Sequence, residues 1–538
     1  MRKIRIDLTI FFMLLLTYAY FYQGGGWGVN GRFDQVRSIV EEGTLEIENF
    51  SLYTAGPDRE GRLALRRLTF PPSALADLPL EQISTAWNTG DVSRFGSHIY
   101  PNKPPGAVLS AVPAYFIVYN VDRLLGIHPD HWWPMTMNVY FTTVFSVSLI
   151  AALGGVIFYR TSLQLFPSSP AWAHIASTLT FGLGTLMLPY STMLIEHDLV
   201  AVLSLFVYLL LLVNKNSGIA SVRPALILFV AGVVSGTILL MQYTSIITVA
   251  CFTLYVFWAT RPRWKVLSFI AGAIPPVAVL GWYNLLCFGS PVTISYAYQG
   301  EWMLHQGLSL GMFGRPRFEI MVALLFSGYR GLFFTSPVLF LSGLGIWLTA
   351  SEQQKRAEIV LWIAIFLGFL FTNSSYNSWD GGWAMGPRFL IPALPFLCLS
   401  LTPVFQKCFR ATLVLAMFSA LTMLLATAVD PRFPQGIPNP MGQYLLPLLR
   451  GQTIRLILSH PSGEHIGEEL LEGPVSANPI GIYESPFRRV YQPGGTIPDH
   501  WNSFNLGEFL WSGRLISLLP LLCFLGLGLG FFWRWSRT

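Results

Sequence analysis

Charge is what this sequence has least of. Only 12% of its 538 residues are Asp, Glu, Lys or Arg, where an ordinary soluble domain carries about a quarter. A soluble chain of this length would need a charged skin for each of its domains, and this one cannot supply it. Cysteine is scarce too. Of five, Cys251, Cys398 and Cys523 lie in apolar runs, Cys287 near the end of one and Cys408 in a short basic loop. No Cys-x-x-Cys pair exists, which argues against a metal finger and a disulfide framework. There is no Walker loop, dinucleotide fingerprint or soluble nucleotide-sugar domain. ATP-driven chemistry is therefore not expected. Any group the protein transfers must arrive already activated, most simply on a lipid phosphate. Internal repeats and low-complexity tracts are missing as well. The 34 basic and 28 acidic residues leave a net +6, but the cations sit in short clusters between apolar runs, so no nucleic-acid partner is expected.

What the sequence does have is apolar length. Hydrophobic residues make up 53% and the mean hydropathy is +0.51. The fold expected is an all-α polytopic membrane protein, because helices satisfy their own backbone in lipid and need about 20 apolar residues to cross. Spans are predicted near 8–23, 107–125, 138–159, 172–190, 198–213, 224–241, 243–260, 266–284, 331–350, 357–373, 389–404, 411–429 and 514–533. That is about thirteen, within a range of 12–14. Gly232 and Gly236 form a GxxxG pair in one span and are read as helix packing.

Basic loops set the expected orientation. Arg2, Lys3 and Arg5 precede the first span, and Arg534 and Arg537 follow the last. Between them lie Arg261, Arg263 and Lys265, then Lys355 and Arg356, then Lys407 and Arg410. All are placed inside. The run Tyr20-Phe21-Tyr22-Gln23 offers no small-x-small cleavage site, so the first span reads as a retained anchor. Two long segments fall outside. Residues 24–105 hold eight basic and ten acidic residues, and 430–513 hold five and eight, with eleven prolines. The expected organisation is a membrane module over 1–429 that includes the loop 24–105, a cap over 430–513, and a final helix and tail over 514–538. Part of the stretch Phe33–Ile47 fits an amphipathic helix on the membrane face. Two ends on one side demand an even number of crossings, and thirteen is odd. The stretch 106–197 is therefore expected to hide a re-entrant segment or one more crossing.

Several polar residues stand at outer ends of spans. Asp34 lies in Asn30-Gly31-Arg32-Phe33-Asp34-Gln35-Val36-Arg37, about a dozen residues beyond the first span. A carboxylate there can act as general base toward a hydroxyl, or it can be a solvated acid paired with Arg32 or Arg37. Lys103 stands in His98-Ile99-Tyr100-Pro101-Asn102-Lys103-Pro104-Pro105-Gly106. Two prolines open the next helix, and a cation just outside a helix N-terminus makes an anion site; reaching to lipid headgroups is the alternative. Asp91, His98 and Tyr100 lead into this run as candidates for a substrate cavity. The Gly-rich aromatic loop 373–388 contains Trp379, Asp380 and Trp383 and ends on Arg388. A guanidinium there can grip phosphate bidentately, and the tryptophans can stack on a sugar or belong to an interfacial belt. Glu196-His197-Asp198 opens another span and can orient a substrate or serve packing. His128-Pro129-Asp130-His131 has a metal-like spacing but no third ligand. No metal site is therefore assigned, and no cofactor is required; a divalent metal is left open without support.

Taken together, the outer Asp34, the Lys103-Pro104-Pro105 opening and Gly381-Gly382-Trp383-Ala384-Met385-Gly386-Pro387-Arg388 resemble the integral-membrane GT-C glycosyltransferases. Within these it most resembles bacterial members of the protein O-mannosyltransferase and lipid A aminoarabinose transferase group. The resemblance covers about 20–400. It implies a polyprenyl-phosphate sugar donor, and an envelope glycan, lipid or protein acceptor at the outer face of a bacterial inner membrane. Asp34 matches the family's base, and Lys103 its phosphate-side lysine. The second acid that many relatives carry beside the first is missing. No large soluble C-terminal domain follows, so acceptor recognition falls to 24–105, 430–513 or a partner. The expected reaction is inverting: Asp34 takes the acceptor proton while Lys103 and Arg388 hold the departing phosphate. The rival readings are a flippase or transporter of lipid-linked sugars, which would place ionisable residues within the spans, and an oligosaccharide ligase.

Overall fold

A computed structural model gives the architecture. It describes all residues except 1, 69–85, 217–222, 300–307, 310, 436, 453, 458–479, 484–502, 512–514 and 538. The chain is a multi-pass, mostly helical membrane protein. Among the described residues, eight helices are long and apolar enough to cross a membrane, or nine if Arg388–Leu399 and Leu401–Lys407, bent by 42°, form one span. This is fewer than the 12–14 expected. The first helix, α1 (Arg2–Tyr20), spends its opening turns on Arg2, Lys3, Arg5 and Asp7. The apolar run 331–350 is interrupted at Ser336 and restarted by Pro337. The run 172–190 breaks after Leu183, and Tyr243–Ala259 is short.

The segment after α1 builds the face that carries the long loops, called the loop face below. A short strand β1 (Phe21–Gln23) leads into α2 (Trp27–Arg37). Gly26 caps this helix with φ +81, a conformation that only glycine adopts freely. A wide turn over Ser38–Glu42 extends α2 and stops at Gly43, φ +72. Two antiparallel hairpins follow: β2 (Tyr53–Pro57) with β3 (Leu63–Arg67), and β4 (Val92–Phe95) with β5 (His98–Pro101), in which Val92 faces Pro101 and Phe95 faces His98.

Next comes α3 (Gly106–Leu125), which was expected to be a span. It has the length, but both of its ends hold to the loop face. At one end, Gly106 lies so close to the C-terminus of helix Arg223–Met241 that a Cβ would meet the Leu240 carbonyl at 2.6 Å. Beyond the other end, the Asp130 carboxylate accepts from Arg37 at 2.7 Å, the Asp130 carbonyl from Leu65 at 2.7 Å, and His131 meets Asp58 at 3.1 Å. Arg37, Asp58 and Leu65 all belong to the same loop segment. Thus α3 lies along the loop face, with Phe116, Ile117, Leu124 and Leu125 exposed on its apolar side. By length and apolarity it is one of the eight helices counted above, but the attachment of both ends argues for a helix along this face in place of the crossing expected at 107–125.

The chain then descends through Trp132–Leu165. Its 34 residues make a helix of about 50 Å, longer than the ~30 Å hydrocarbon layer. Tyr140 bonds the carbonyl of Ala19 at 2.7 Å, near the end of α1. The first turns of this long helix therefore rise among the loops. Lower down, Arg223–Met241 and Val266–Phe288 pack backbone to backbone. A Cβ on Gly232 would strike the Phe269 carbonyl, and one on Gly236 would meet the Ala273 carbonyl at 2.6 Å. The GxxxG pair does pack helices. The segment 430–513 is described over 430–435, 437–452, 454–457, 480–483 and 503–511. Its Ser503–Asn505 strand pairs antiparallel with β1.

Candidate functional site

The site grows from the two sides of α2. Successive residues of an α-helix turn by about 100°, so Arg32 and Asp34 point in nearly opposite directions. The Arg32 side is lined by glycine. A Cβ on Gly28 would meet the Asp91 carboxylate at 3.4 Å, and one on Gly31 would meet Thr89 Oγ1 at 3.2 Å. The missing side chains let the segment before β4 lie against the helix. Asn30 fixes that segment by donating to the carbonyls of Ala86 and Asn88 at 3.0 and 2.9 Å.

Five charged groups converge there. Arg32 is buried and pairs with Glu196, which stands just ahead of helix His197–Asn216. Lys103 stands 3.9 Å from Asp91, with its ammonium 5.7 Å from the centre of the Tyr296 ring. Arg388 comes from the far side, at the mouth of the bent span, and its charge acts on both Lys103 and Tyr376. Its guanidinium lies 5.1 Å from the Phe389 ring. Burial, together with Arg32 and Arg388, draws the Lys103 ammonium below its usual pKa, while Asp91 and Glu196 oppose the shift. Burial alone would raise Glu196, but Arg32, His197 and Lys103 prevail and hold it down to about 2. Three cations therefore face two carboxylates. Two buried donors, Arg32 Nε and Arg388 Nε, have no hydrogen-bond partner among the described residues. Leaving a buried charged donor unmade costs free energy, which an incoming anion removes.

Of the residues expected from sequence, Lys103, Arg388, Asp91, Glu196 and His197 are brought together here. His197 is buried, 5.5 Å from the Phe389 ring, and meets Gln242 at 3.4 Å. The others are placed elsewhere. Asp34 lies on the opposite side of α2, 3% exposed, with one carboxylate oxygen unpartnered. Burial pushes its carboxyl well above the ordinary value, and Arg37, not Lys103, is the cation that opposes this. His98 and Tyr100 project together from β5, away from the cluster. His98 binds Glu48 at 3.0 Å, and Tyr100 is buried against Phe288 at 5.4 Å. Asp380 is spent on Tyr329 at 2.8 Å, on Gln435 at 3.0 Å and on the Gly382 amide at 3.2 Å. Trp379 packs edge-on against Tyr329 at 6.0 Å, and Trp383 is exposed.

Sequence reading missed Arg32 as a site residue, as well as Tyr296, Tyr376 and Phe389. Arg32 stood in the quoted motif, but only the packing of α2 says which of its sides faces the spans. Among the described residues, no three His, Cys, Asp or Glu side chains gather where they could hold a metal ion. At the metal-like spacing near His128, Asp130 is committed to Arg37 and Arg67, and His131 to Asp58.

No family model and no curated protein matches the chain. Among solved structures it is similar to the oligosaccharyltransferase of Archaeoglobus fulgidus. For the apo form, identity is 12% and the TM-score 0.44, over 78% of this chain and 55% of that one. For the complex with Zn and sulfate the values are 12% and 0.45, over 79% and 53%. For the complex with an inhibitory peptide and a dolichol-phosphate they are 12% and 0.43, over 78% and 55%. The chain thus spans about half the length of those archaeal proteins.

Proposed function

We propose that the protein is a membrane glycosyltransferase of GT-C type that takes a sugar from a lipid phosphate at its loop face. The observation that carries this reading is the cluster of Arg32, Lys103 and Arg388 around only Asp91 and Glu196, with two arginine donors unmade. Arg32 is neutralised by Glu196, and Lys103 stands beside Asp91. The surplus is a single positive charge, carried by Arg388. One negative charge is what a phosphodiester presents, so the charge balance suits a polyprenyl-phosphate monosaccharide. In this reading the face lies on the outer side of a bacterial inner membrane, opposite the basic loops, and the acceptor is an envelope glycan, lipid or protein.

Asp91 is the carboxylate that serves as base. It is partly exposed beside Lys103, whereas Asp34 faces the other way. In this reading Asp91 takes the proton of an acceptor hydroxyl, whose oxygen attacks the anomeric carbon. The bond from that carbon to the phosphate oxygen breaks, and the phosphate leaves with its charge held by Lys103 and Arg388. Direct displacement inverts the anomeric centre.

The test is transfer from a polyprenyl-phosphate sugar by purified full-length protein. Asp91→Asn should lower turnover by about 10²–10⁴, the usual worth of a general base, while binding of polyprenyl phosphate persists. Asp34→Asn should leave turnover near wild type. The opposite ranking returns the catalytic role to Asp34.

A further inference from the structure

Arg330 takes no part in the site described above, yet it is fully buried. All three of its guanidinium nitrogens donate to backbone carbonyls. Nε bonds Asp380 at 3.0 Å. Nη2 bonds Gly382 at 2.8 Å and Phe433 at 3.2 Å, and Nη1 bonds Tyr329 at 3.4 Å. The guanidinium also lies over the Tyr329 ring at 4.0 Å, and the Tyr329 hydroxyl donates to the Asp380 carboxylate. Two of these carbonyls flank Gly381. That glycine holds φ +75 and lies under the side chain of Arg388, so closely that a Cβ there would meet Arg388 Nε at 3.0 Å. Another of the four, the Phe433 carbonyl, also accepts from the Ala384 amide at 3.1 Å.

We propose that Arg330 is a positioning residue for Arg388. It fixes the glycine turn 380–382 on which the Arg388 side chain rests, and it ties that turn to the start of the second long segment at Phe433. A buried guanidinium with several charge-assisted bonds is a stiff clamp, and lysine cannot reproduce its fork. Through this clamp, the segment beginning at Asp430 sets where the surplus charge of the site stands. The inference rests on the lipid-phosphate reading of the site, and the experiment separates the two.

Full-length protein in nanodiscs is titrated with a long-chain polyprenyl monophosphate, using the matching polyprenol as neutral control. Wild type should bind the phosphate better than the alcohol, and Arg388→Ala should erase the difference. If wild type shows no preference, the lipid-phosphate reading falls and this proposal falls with it. Given the preference, Arg330→Ala should weaken phosphate binding about tenfold, as loss of a well-placed charged contact does, with polyprenol binding unchanged. Arg330→Lys should lie between the two. The double variant Arg330→Ala/Arg388→Ala should bind no more weakly than Arg388→Ala alone, because a residue that acts through another shows no effect once that other is gone. Wild-type affinity in Arg330→Ala, or losses that add in the double variant, would overturn the positioning role while leaving the lipid-phosphate reading intact. Should Arg330→Ala fail to fold, the same cycle runs with Arg330→Lys and with Gly382→Ala. At Gly382 the φ of +70 strains any side chain although space is open, so a few-fold loss confined to the phosphate ligand is expected.

Discussion

The two sides of α2 carry similar residues to opposite ends. On one side, Arg37 is fully buried. It bonds Glu41 at 2.6 Å and Asp130 at 2.7 Å, and it donates to Tyr53 at 3.0 Å. Arg67 joins from β3, reaching Glu41 at 2.7 Å and Asp130 at 3.2 Å. Phe50 lies against both guanidiniums, at 4.9 and 4.3 Å. Arg67 also reaches Glu42 at 3.5 Å, so every cation there is paired, and Asp34 sits behind them. On the other side, Arg32 has one carboxylate, Arg388 has none within ion-pair distance among the described residues, and donors are left over. Both clusters are built from arginine and acid. The first, with its cations all paired, holds α2, β3 and the start of the long helix Trp132–Leu165 together. The second, in the reading proposed above, receives an anion. A buried charge cluster is thus read by what it leaves unpaired, not by how many charges it contains.

That contrast can be broken at its strongest point first. Arg37→Ala leaves Glu41 and Asp130 buried and facing only Arg67. It should cost about 3–5 kcal/mol, as breaking a buried pair does, and appear as a sharp fall in the thermal unfolding midpoint. Arg388→Ala should do the reverse. Affinity for polyprenyl phosphate should drop by about tenfold or more, or roughly 1.4 kcal/mol per decade, with the unfolding midpoint near wild type. If Arg388→Ala unfolds the protein instead, the two clusters are alike and the distinction is lost.

A smaller effect comes from pH. The Asp34 carboxyl is raised well above its ordinary 3.8, so between that value and its folded pKa the folded state binds the extra proton. Stability from this group is full below the ordinary value and is lost as pH rises. Asp34→Asn should therefore stabilise the protein at neutral pH by about 1 kcal/mol and flatten the decline, read as unfolding midpoints across a pH series. Asp130 has the opposite sign. Burial works against its ionised form, but Arg37 and Arg67 hold its pKa down, and its contribution disappears as pH falls. The smallest expected effect is at His98. His98→Ala removes an exposed contact to Glu48 and should stay within about 0.5 kcal/mol in stability, with phosphate affinity unchanged.

Much of the bundle was legible because apolar length is a direct record of crossing a bilayer. The exception, α3, is instructive. Its residues satisfy length and apolarity, and only the attachment of both ends to one face separates a helix lying in the interface from one that crosses. The prolines at 104 and 105 marked its start correctly. Within the site, Lys103 and Arg388 were legible as cations set at helix ends beside the long loops. Asp34 and Arg32 could not be ranked, because two residues on one helix exchange roles when the helix turns by half a revolution. His98 and Tyr100 shared a strand face that the sequence alone could not aim.

The pairing of β1 with Ser503–Asn505 bears on how the protein is made. Phe21 sits opposite Asn505, and the Tyr20 hydroxyl bonds the Ser517 carbonyl at 2.5 Å. The exit of α1 is thus fastened by residues some 480 positions later in the sequence. Synthesis runs from α1 toward residue 503, so β1 has no strand to pair with until Ser503–Asn505 have been made.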